Sequence, residues 1–304
     1  MDTQVTVTVV SASRDSAEKA IDAAFSKIGE IESLTNLYAS GSEISHINNN
    51  AGISATKVSP EVLELIGKAF SVSEKTDGAF DMTMGSVTKL YDFHSKKTPE
   101  ENAMGKNLSL VNYRDVTVDK AASTVFLKKK GMLIDAGGIA KGYAADKAVL
   151  ALRNLGILSG LVAIAGDIKA FGLKPDGTPW QIGIRNPRAE NSEDDIMATL
   201  TLSDMAISTS GDYERFFLRG GTRYHHLLDP QTGSPARGCR SVTVVAREAA
   251  FADSFATAVF VLGPEKGIKV LDAAGFEGLI VDSEGKMHFT ARMRENVAIK
   301  KPVS

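Results

Sequence analysis

Residues 135–146 read DAGGIAKGYAAD, and they join a short β-prone run, Met132 to Ile134, to a helical pattern. The two adjacent glycines permit a tight turn. Apolar residues then recur at helical spacing from Ile139 to about Leu155. This stretch therefore predicts a strand that passes through a glycine turn directly into a helix.

The stretch admits two functional interpretations. In the first, free N–H groups at the start of the helix and the Lys141 ammonium hold a phosphate, while Asp135 accepts hydrogen bonds from a ligand or orders the turn. In the second, it is a well-capped strand-to-helix junction with no ligand. Neither GxxxxGK[ST] nor GxGxxG spacing occurs, so spacing alone leaves both interpretations open.

Patterns along the rest of the chain indicate the fold class. Amphipathic helices are predicted from residue 15 to 37 and from Pro60 onwards, where Ser59 is an N-cap. Short β-prone runs fill much of the remainder, and residues 39–50 and 94–107 are predicted as polar loops. Because strands and helices do not alternate strictly, we predict an α+β fold with largely antiparallel sheets and flanking helices.

Composition excludes several classes of protein. The 304 residues carry a formal net charge of -2, which gives no basic footprint for a nucleic acid. The single cysteine excludes an intrachain disulfide framework and any multi-cysteine metal site. No apolar run is long enough to span a bilayer, and the alternation from Val5 to Val10 is typical of a strand, not of a signal peptide.

A second group of polar residues lies near the C-terminus. Asp253 and Thr257 are four residues apart in a helical pattern, so their side-chain oxygens share one helix face. One carboxylate and one hydroxyl form a half-site for Mg2+, which accepts few protein ligands and keeps waters or substrate phosphates. Helix capping by Asp253, with Thr257 as a packing residue, is the structural alternative.

Two histidines and two aromatic residues complete the candidates. His225 and His226 are adjacent in a predicted strand and therefore face opposite sides, so only one of them faces a given site, as a base or a cofactor partner. Tyr38 and Phe80 are candidates to enclose a flat ligand. The alternatives are a structural histidine and ordinary core aromatics. No GxSxG or HExxH motif supports hydrolase or zincin chemistry.

Taken in order, these motifs resemble the ApbE-like FAD:protein FMN transferase family over nearly the whole chain. The matching blocks begin with YASGSEI and a following asparagine at residues 38–48 and GAFDMT at 78–83. They continue with the 135–146 stretch, GDI at 166–168, TSGDYERF at 209–216, HLLDPQTG at 226–233 and ADSFAT at 252–257. The order of the blocks makes the resemblance specific.

The resemblance implies an ApbE-like, T-fold-related structure of two intimately packed lobes, with residues 1–304 as a single flavin transferase domain. It implies a Mg2+-dependent enzyme that cleaves FAD, joins FMN to a threonine or serine hydroxyl of another protein, and releases AMP. His226 and Asp253 would be catalytic, His226 by helping to deprotonate the acceptor. The implied metal ligands are Gly138, Asp253, Ala256 and Thr257, and the implied FAD contacts are Met1, Tyr38, Ala79, Phe80, Asp81, Asp135, Lys141, His226 and Leu227.

The chain departs from the family pattern at three positions. Ala165 replaces the first glycine of the usual GGD, Ala163 stands where asparagine is common, and Asp2 replaces the glycine of an N-terminal MGT. These departures concern local ligand contacts more than the reaction. Two alternative functions remain, a FAD pyrophosphatase that makes FMN and AMP with water, and a non-catalytic flavin-binding protein.

The resemblance also indicates a partner and a location. The expected acceptor is a subunit of a redox complex that carries a threonine or serine flavinylation motif. The expected location is the periplasm or the outer face of the cytoplasmic membrane, with the signal segment absent from this chain. A cytoplasmic location is expected if the native protein has no signal.

Overall fold

The computed structural model describes residues 3–93, 95–189 and 196–300. The helices of these ranges are α1 (Arg14–Thr35), α2 (Glu43–Asn49), α3 (Pro60–Lys75), α4 (Gly85–Thr88), α5 (Glu101–Leu108), α6 (Ala140–Asn154), α7 (Ala249–Ala274) and α8 (Ala291–Asn296). The strands are β1 (Val5–Val10), β2 (Thr56–Lys57), β3 (Val116–Asp119), β4 (Thr124–Leu127), β5 (Ser159–Ile164), β6 (Asp167–Phe171), β7 (Trp180–Arg185), β8 (Ile196–Leu202), β9 (Ala206–Gly211), β10 (Phe216–Arg219), β11 (Thr222–His225), β12 (Cys239–Ala246), β13 (Glu277–Asp282), β14 (Met287–Phe289) and β15 (Ala298–Ile299).

A seven-stranded sheet organises the molecule. Its strands lie in the order β1-β5-β6-β9-β12-β13-β14, and each neighbouring pair is antiparallel. Smaller antiparallel sheets form from β15-β8-β7, from β2-β4-β3 and from the β10-β11 hairpin. The predicted α+β class with largely antiparallel sheets is confirmed.

The helices α1, α6 and α7 pack in sequence against one another, and α7 also covers β9 and β12. One hydrophobic cluster extends from Ala20 in α1 to Ile280 in β13, so the first helix and the last long strand share a core. Burial of this apolar surface is the main stabilising term of the fold. The shared core agrees with a single domain, and that division stays a prediction.

Two segments that the sequence predicts as loops contain helices. Ser42 caps α2 by accepting a hydrogen bond from the Ser45 N–H (3.0 Å), and Ile44 and Ile47 bury one face of that helix. The segment 94–107 includes the start of α5, which has no buried residue. Both helices lack the long apolar stripe that identifies a helix from sequence.

Two other predictions of local structure are modified. Met132 to Ile134 is not a strand, because only Leu133 forms an isolated bridge, to Met84. The two helices predicted after residue 252 form one long element, α7, whose backbone leaves the helical conformation only at Gly263, next to Pro264. No helix of the described residues combines the length and apolar character required to cross a membrane.

The contact between α6 and α7 joins two motifs that are far apart in the sequence, residues 135–146 and 252–257. Asp146 in α6 accepts hydrogen bonds from the N–H groups of Ala249 (2.9 Å) and Ala250 (3.0 Å), so it caps α7 from outside that helix. Gly142 allows the helices to approach, because a Cβ at this position would lie 2.1 Å from the Ala249 oxygen. The last aspartate of the 135–146 stretch is therefore structural.

Replacing Gly142 with alanine is expected to lower the free energy of unfolding by about 2–3 kcal/mol, since the methyl group meets backbone that must move. The matched control is Gly67→Ala in α3, where a Cβ meets nothing within 4 Å. That change is expected to be neutral or to stabilise by up to about 1 kcal/mol. Urea unfolding of both variants measures the difference, and equal stabilities would contradict the close approach.

Candidate functional site

Lys141 and Asp253 form the centre of the site, although they are 112 residues apart in the chain. The Lys141 Nζ lies 3.0 Å from Asp253 Oδ1 and 3.1 Å from Oδ2. The Gly142 N–H donates to Asp253 Oδ2 at 3.1 Å. Asp253 is 3% exposed, so its charge depends on these donors in place of water.

A second carboxylate contacts the same ammonium. Asp167, the first residue of β6, places Oδ2 2.7 Å from Lys141 Nζ. Burial alone would lower the pKa of Lys141, but Asp167 and Asp253 together hold it above its ordinary range. Burial, followed by the Asp167 charge, raises the pKa of Asp253, and Lys141 and the Gly142 N–H oppose this rise.

The turn before α6 does not present the free N–H groups that the sequence suggested. The N–H of Gly137 donates to Asp135 Oδ1 (2.8 Å), and those of Ile139 (3.0 Å) and Ala140 (2.8 Å) donate to the Ala136 oxygen. The Gly142 N–H donates to Asp253 Oδ2. Most of these donors are already paired within the protein, so the stretch acts here mainly by placing Lys141 and Gly138.

Gly138 lies against two of the predicted site residues. A Cβ on Gly138 would be 3.0 Å from Phe80 Cε2 and 3.6 Å from Thr257 Oγ1, so the absence of a side chain leaves room for both. Thr257 Oγ1 is also 3.3 Å from Ser210 Oγ at the end of β9. The structure therefore brings Gly138, Thr257 and Asp253 to one region between α6 and α7.

These residues fit a hard divalent cation by their chemistry. Asp253 and Thr257 supply oxygen atoms on one face of α7, as predicted. The two oxygens of Asp253 already contact one cation, the Lys141 ammonium. No group of three or more His, Cys, Asp or Glu side chains in the described ranges is arranged to hold a metal. The predicted ligand set differs from such a group, because it consists of one carboxylate, one hydroxyl and backbone oxygens.

The two histidines have different surroundings, as predicted, but they do not share a strand, because β11 ends at His225. His225 is 4% exposed, its Nε2 lies 3.0 Å from the Ala236 oxygen, and its ring meets the Phe260 ring edge-on at 5.4 Å. His226 keeps part of its surface exposed, and its Nδ1 is enclosed without a hydrogen-bond partner among the described residues. His225 is the structural histidine, and His226 faces the charged cluster.

Desolvation lowers the pKa of His226 to about 4, and the positive charges of Arg215 and Lys141 add to the effect, as does the His225 ring. The imidazole is therefore neutral at physiological pH and free to accept a proton. Arg215 also holds His226 in place through its backbone, because the His226 N–H donates to the Arg215 oxygen at 3.1 Å.

The two predicted flavin-contacting aromatics differ in accessibility. Phe80 is 4% exposed and packs in the core, whereas Tyr38 is 80% exposed and available to a ligand. The pKa of Tyr38 is raised by partial desolvation and by the Asp135 carboxylate, and lowered by Arg215. Tyr38 is therefore within electrostatic range of both Asp135 and Arg215.

The other predicted FAD contacts have mainly local structural partners. The Asp81 carboxylate accepts hydrogen bonds from the N–H groups of Thr83 and Tyr113, both at 2.8 Å, and from the Thr83 hydroxyl at 2.6 Å, so its side chain orders the turn that follows Phe80. Burial raises its pKa, and these donors oppose the rise. The Ala79 N–H donates to the Thr76 oxygen, and Leu227 is buried. Met1 and Asp2 lie outside the described residues.

Asp167 is the residue that sequence reasoning left out of the site. Its signals were its place after Gly166 in the turn between two strands, which is common in hairpins, and its membership of the GDI block at 166–168. The turn has a further feature, because Ala165 adopts a left-handed φ of 54°. A glycine takes that conformation without strain, which is the physical meaning of the Ala165 departure noted above.

Two cavities lie away from this cluster. One, of about 460 Å3, is lined mainly by the second half of α7 and by β14, and the other, of about 340 Å3, lies against β3 and β4. Neither is lined by any of the predicted site residues. The candidate site is therefore defined by the contacts of its charged side chains and not by either cavity.

Comparison with known sequences agrees with the motif analysis. The sequence profile of the ApbE family matches residues 1–280. A FAD:protein FMN transferase of Treponema pallidum is 32% identical over 297 residues, covering 92% of this chain and 82% of the relative. One from Klebsiella pneumoniae is 34% identical over 250 residues, covering 81% and 77%.

Solved structures show the same fold. The crystal structure of the ApbE protein from Thermotoga maritima superposes with a TM-score of 0.89 at 33% identity, covering 97% of this chain and 96% of that one. The apo form of the Pseudomonas stutzeri flavinyl transferase ApbE gives 0.82 at 30% identity, with the same coverage. The resemblance identified from the ordered motifs is confirmed, and the chain belongs to the ApbE family.

Proposed function

We propose that this protein is a FAD:protein FMN transferase, which moves FMN from FAD to a threonine or serine hydroxyl of an acceptor protein and releases AMP. The family membership supports the transferase reaction. The observation that carries the proposal for this chain is the direct contact of Lys141 with Asp253, which unites the two motifs at the α6–α7 interface.

We further propose that the reaction depends on Mg2+, held by the side chains of Asp253 and Thr257 with backbone oxygens of Gly138 and Ala256. When bound, the cation neutralises charge on the pyrophosphate oxygens. The protein supplies the remaining electrostatics. Lys141 brings a fixed positive charge to the same position, and burial of Asp253 excludes competing water.

In the proposed transfer, the acceptor hydroxyl oxygen forms a bond to the phosphorus of the FMN half of FAD. The bond from that phosphorus to the bridging oxygen breaks, and AMP leaves with the bridging oxygen. The neutral His226 imidazole takes the hydroxyl proton. Tyr38 would cover the flavin, a role that the high exposure of its ring supports.

The test is incubation of the purified protein with FAD and Mg2+, with and without a flavin-acceptor domain. We expect covalent flavin fluorescence on the acceptor after denaturation, together with one AMP for each FMN attached. Omission of Mg2+ and replacement of the acceptor threonine by valine are the controls, and each is expected to abolish the adduct.

The two alternatives give different results in the same assay. A FAD pyrophosphatase releases AMP and FMN at the same rate without the acceptor. A flavin-binding protein gives neither AMP nor an adduct. The location outside the cytoplasm and the identity of the acceptor as a redox-complex subunit rest on the family resemblance and stay predictions.

A further inference from the structure

The Lys141 ammonium lies between two buried carboxylates and contacts both oxygens of Asp253. It contacts both oxygens of Asp253, at 3.0 and 3.1 Å, and one oxygen of Asp167, at 2.7 Å. A divalent cation that binds Asp253 therefore competes with Lys141 for the same two oxygens and repels the ammonium. The ammonium then needs another partner, because an unpaired charge is costly in a site with so little water.

Asp167 is the available partner for the ammonium, and contacts that do not involve Lys141 fix its position. Its Oδ1 accepts a hydrogen bond from the Ser208 hydroxyl, and β6 pairs with β9 next to it, at Ile168 and Ile207. Asp167 is 2% exposed. Its Oδ2 is close enough to Lys141 for an ion pair but is not aligned as a hydrogen bond, and it has no other partner among the described residues.

We infer that Asp167 is a positioning residue that retains Lys141 in the site when a divalent cation occupies Asp253. The inference rests on the proposed Mg2+-dependent function. The charges support it, because Asp167, Asp253 and Lys141 sum to -1 and a divalent cation changes this to +1. Without the Asp167 charge, binding of the cation brings the net charge of this poorly solvated cluster to +2. Lys141 then pairs only with Asp253, in direct competition with the cation.

The first experiment measures cation affinity and not activity. Isothermal titration of Mg2+ and Mn2+ into wild type and Asp167→Asn is expected to show binding weakened by about 10–100-fold, the usual effect of losing a residue that supports a metal site indirectly. Asp204→Asn is the matched control, because Asp204 pairs with Arg153 near the far end of α6. That variant is expected to bind as wild type does.

A double-mutant cycle tests whether Asp167 acts through Lys141. In a Lys141→Met background, Asp167→Asn is expected to weaken cation binding much less than it does in wild type. An equal or larger loss would mean that Asp167 attracts or binds the cation itself, and would overturn the inference. Asp167→Glu keeps the charge and is expected to bind more tightly than Asp167→Asn, with circular dichroism confirming that each variant is folded.

Failure of this inference is distinguishable from failure of the proposed function. If wild type attaches FMN to the acceptor and Asp167→Asn binds Mg2+ normally, only the role of Asp167 is wrong. If the cation affinities follow the predicted pattern but no FMN is transferred, the proposed reaction is wrong and the role of Asp167 stands. A wild-type protein that binds neither Mg2+ nor Mn2+ overturns the inference.

Discussion

Asp253→Asn is expected to lower the rate of FMN transfer by about 10³-fold, the scale seen when a preorganised electrostatic contact to a reacting group is removed. The carboxylate is buried and contacts Lys141 through both oxygens. Asparagine keeps its size but loses the charge that attracts a divalent cation. The measurements are covalent flavin fluorescence on the acceptor and, separately, FAD binding.

The neighbouring residue on α7 provides the control for that substitution. Ser254 is fully buried, and its hydroxyl donates to the Ala250 oxygen of the preceding turn at 2.7 Å. Ser254→Ala is expected to transfer FMN at the wild-type rate, with a loss of stability of about 1 kcal/mol or less. Undiminished transfer by Asp253→Asn would exclude a catalytic metal at this position.

The second large effect is expected at His226 and not at His225. His226→Gln removes the proposed base and is expected to slow transfer by about 10²–10⁴-fold while the protein stays folded. His225→Gln alters a buried ring packed on Phe260, so it is expected to lower the free energy of unfolding by about 2 kcal/mol with little change in rate per folded molecule. The reverse pattern would exchange the two roles.

The pH profile gives an independent measure of His226. Its neutral form is the one that accepts a proton, and desolvation lowers its pKa to about 4. The contribution of His226 is therefore expected to hold from neutral pH downwards and to fall as the pH drops through about 4, not through the ordinary histidine value near 6.5. Loss of activity nearer pH 6 is expected from Asp253, whose pKa burial and the Asp167 charge raise to about 6. His226→Gln is expected to lose only the limb near 4, and a limb near 6.5 that this substitution abolishes would contradict the desolvation of the ring.

The sequence predicts local structure well where the chain carries its own signals. The N-cap at Ser59, the helical spacing after Ile139 and the strands beside Gly166 are all present in the structure. The helix α2 was missed because only Ile44 and Ile47 mark its apolar face within a polar segment. Short exposed helices such as α5 carry even less signal, since they bury nothing.

The sequence named residues that the structure brings together, but it did not predict their contacts. Asp253, Thr257, Gly138 and Lys141 were identified, and the structure brings them together. The free N–H groups expected at the start of α6 are mostly paired, because Asp253 from α7 and the carbonyl of Ala136 accept from them. Asp167 and Arg215 lie inside the quoted blocks GDI and TSGDYERF, but they were not assigned to the site, because a short motif does not show which charged residue it will pair with.

By itself, the sequence determined the helices and strands with strong periodicity, the helix face shared by Asp253 and Thr257, and the family, because these depend on neighbouring residues or on the order of motifs. Only the tertiary structure decided that Lys141 pairs with Asp253 and Asp167 and that Phe80 is buried. The Lys141–Asp253 contact joins residues 112 positions apart in the chain. The burial of Phe80 depends on core packing. The close approach of α6 and α7 at Gly142, which no local pattern encodes, is what brings Lys141 beside Asp253.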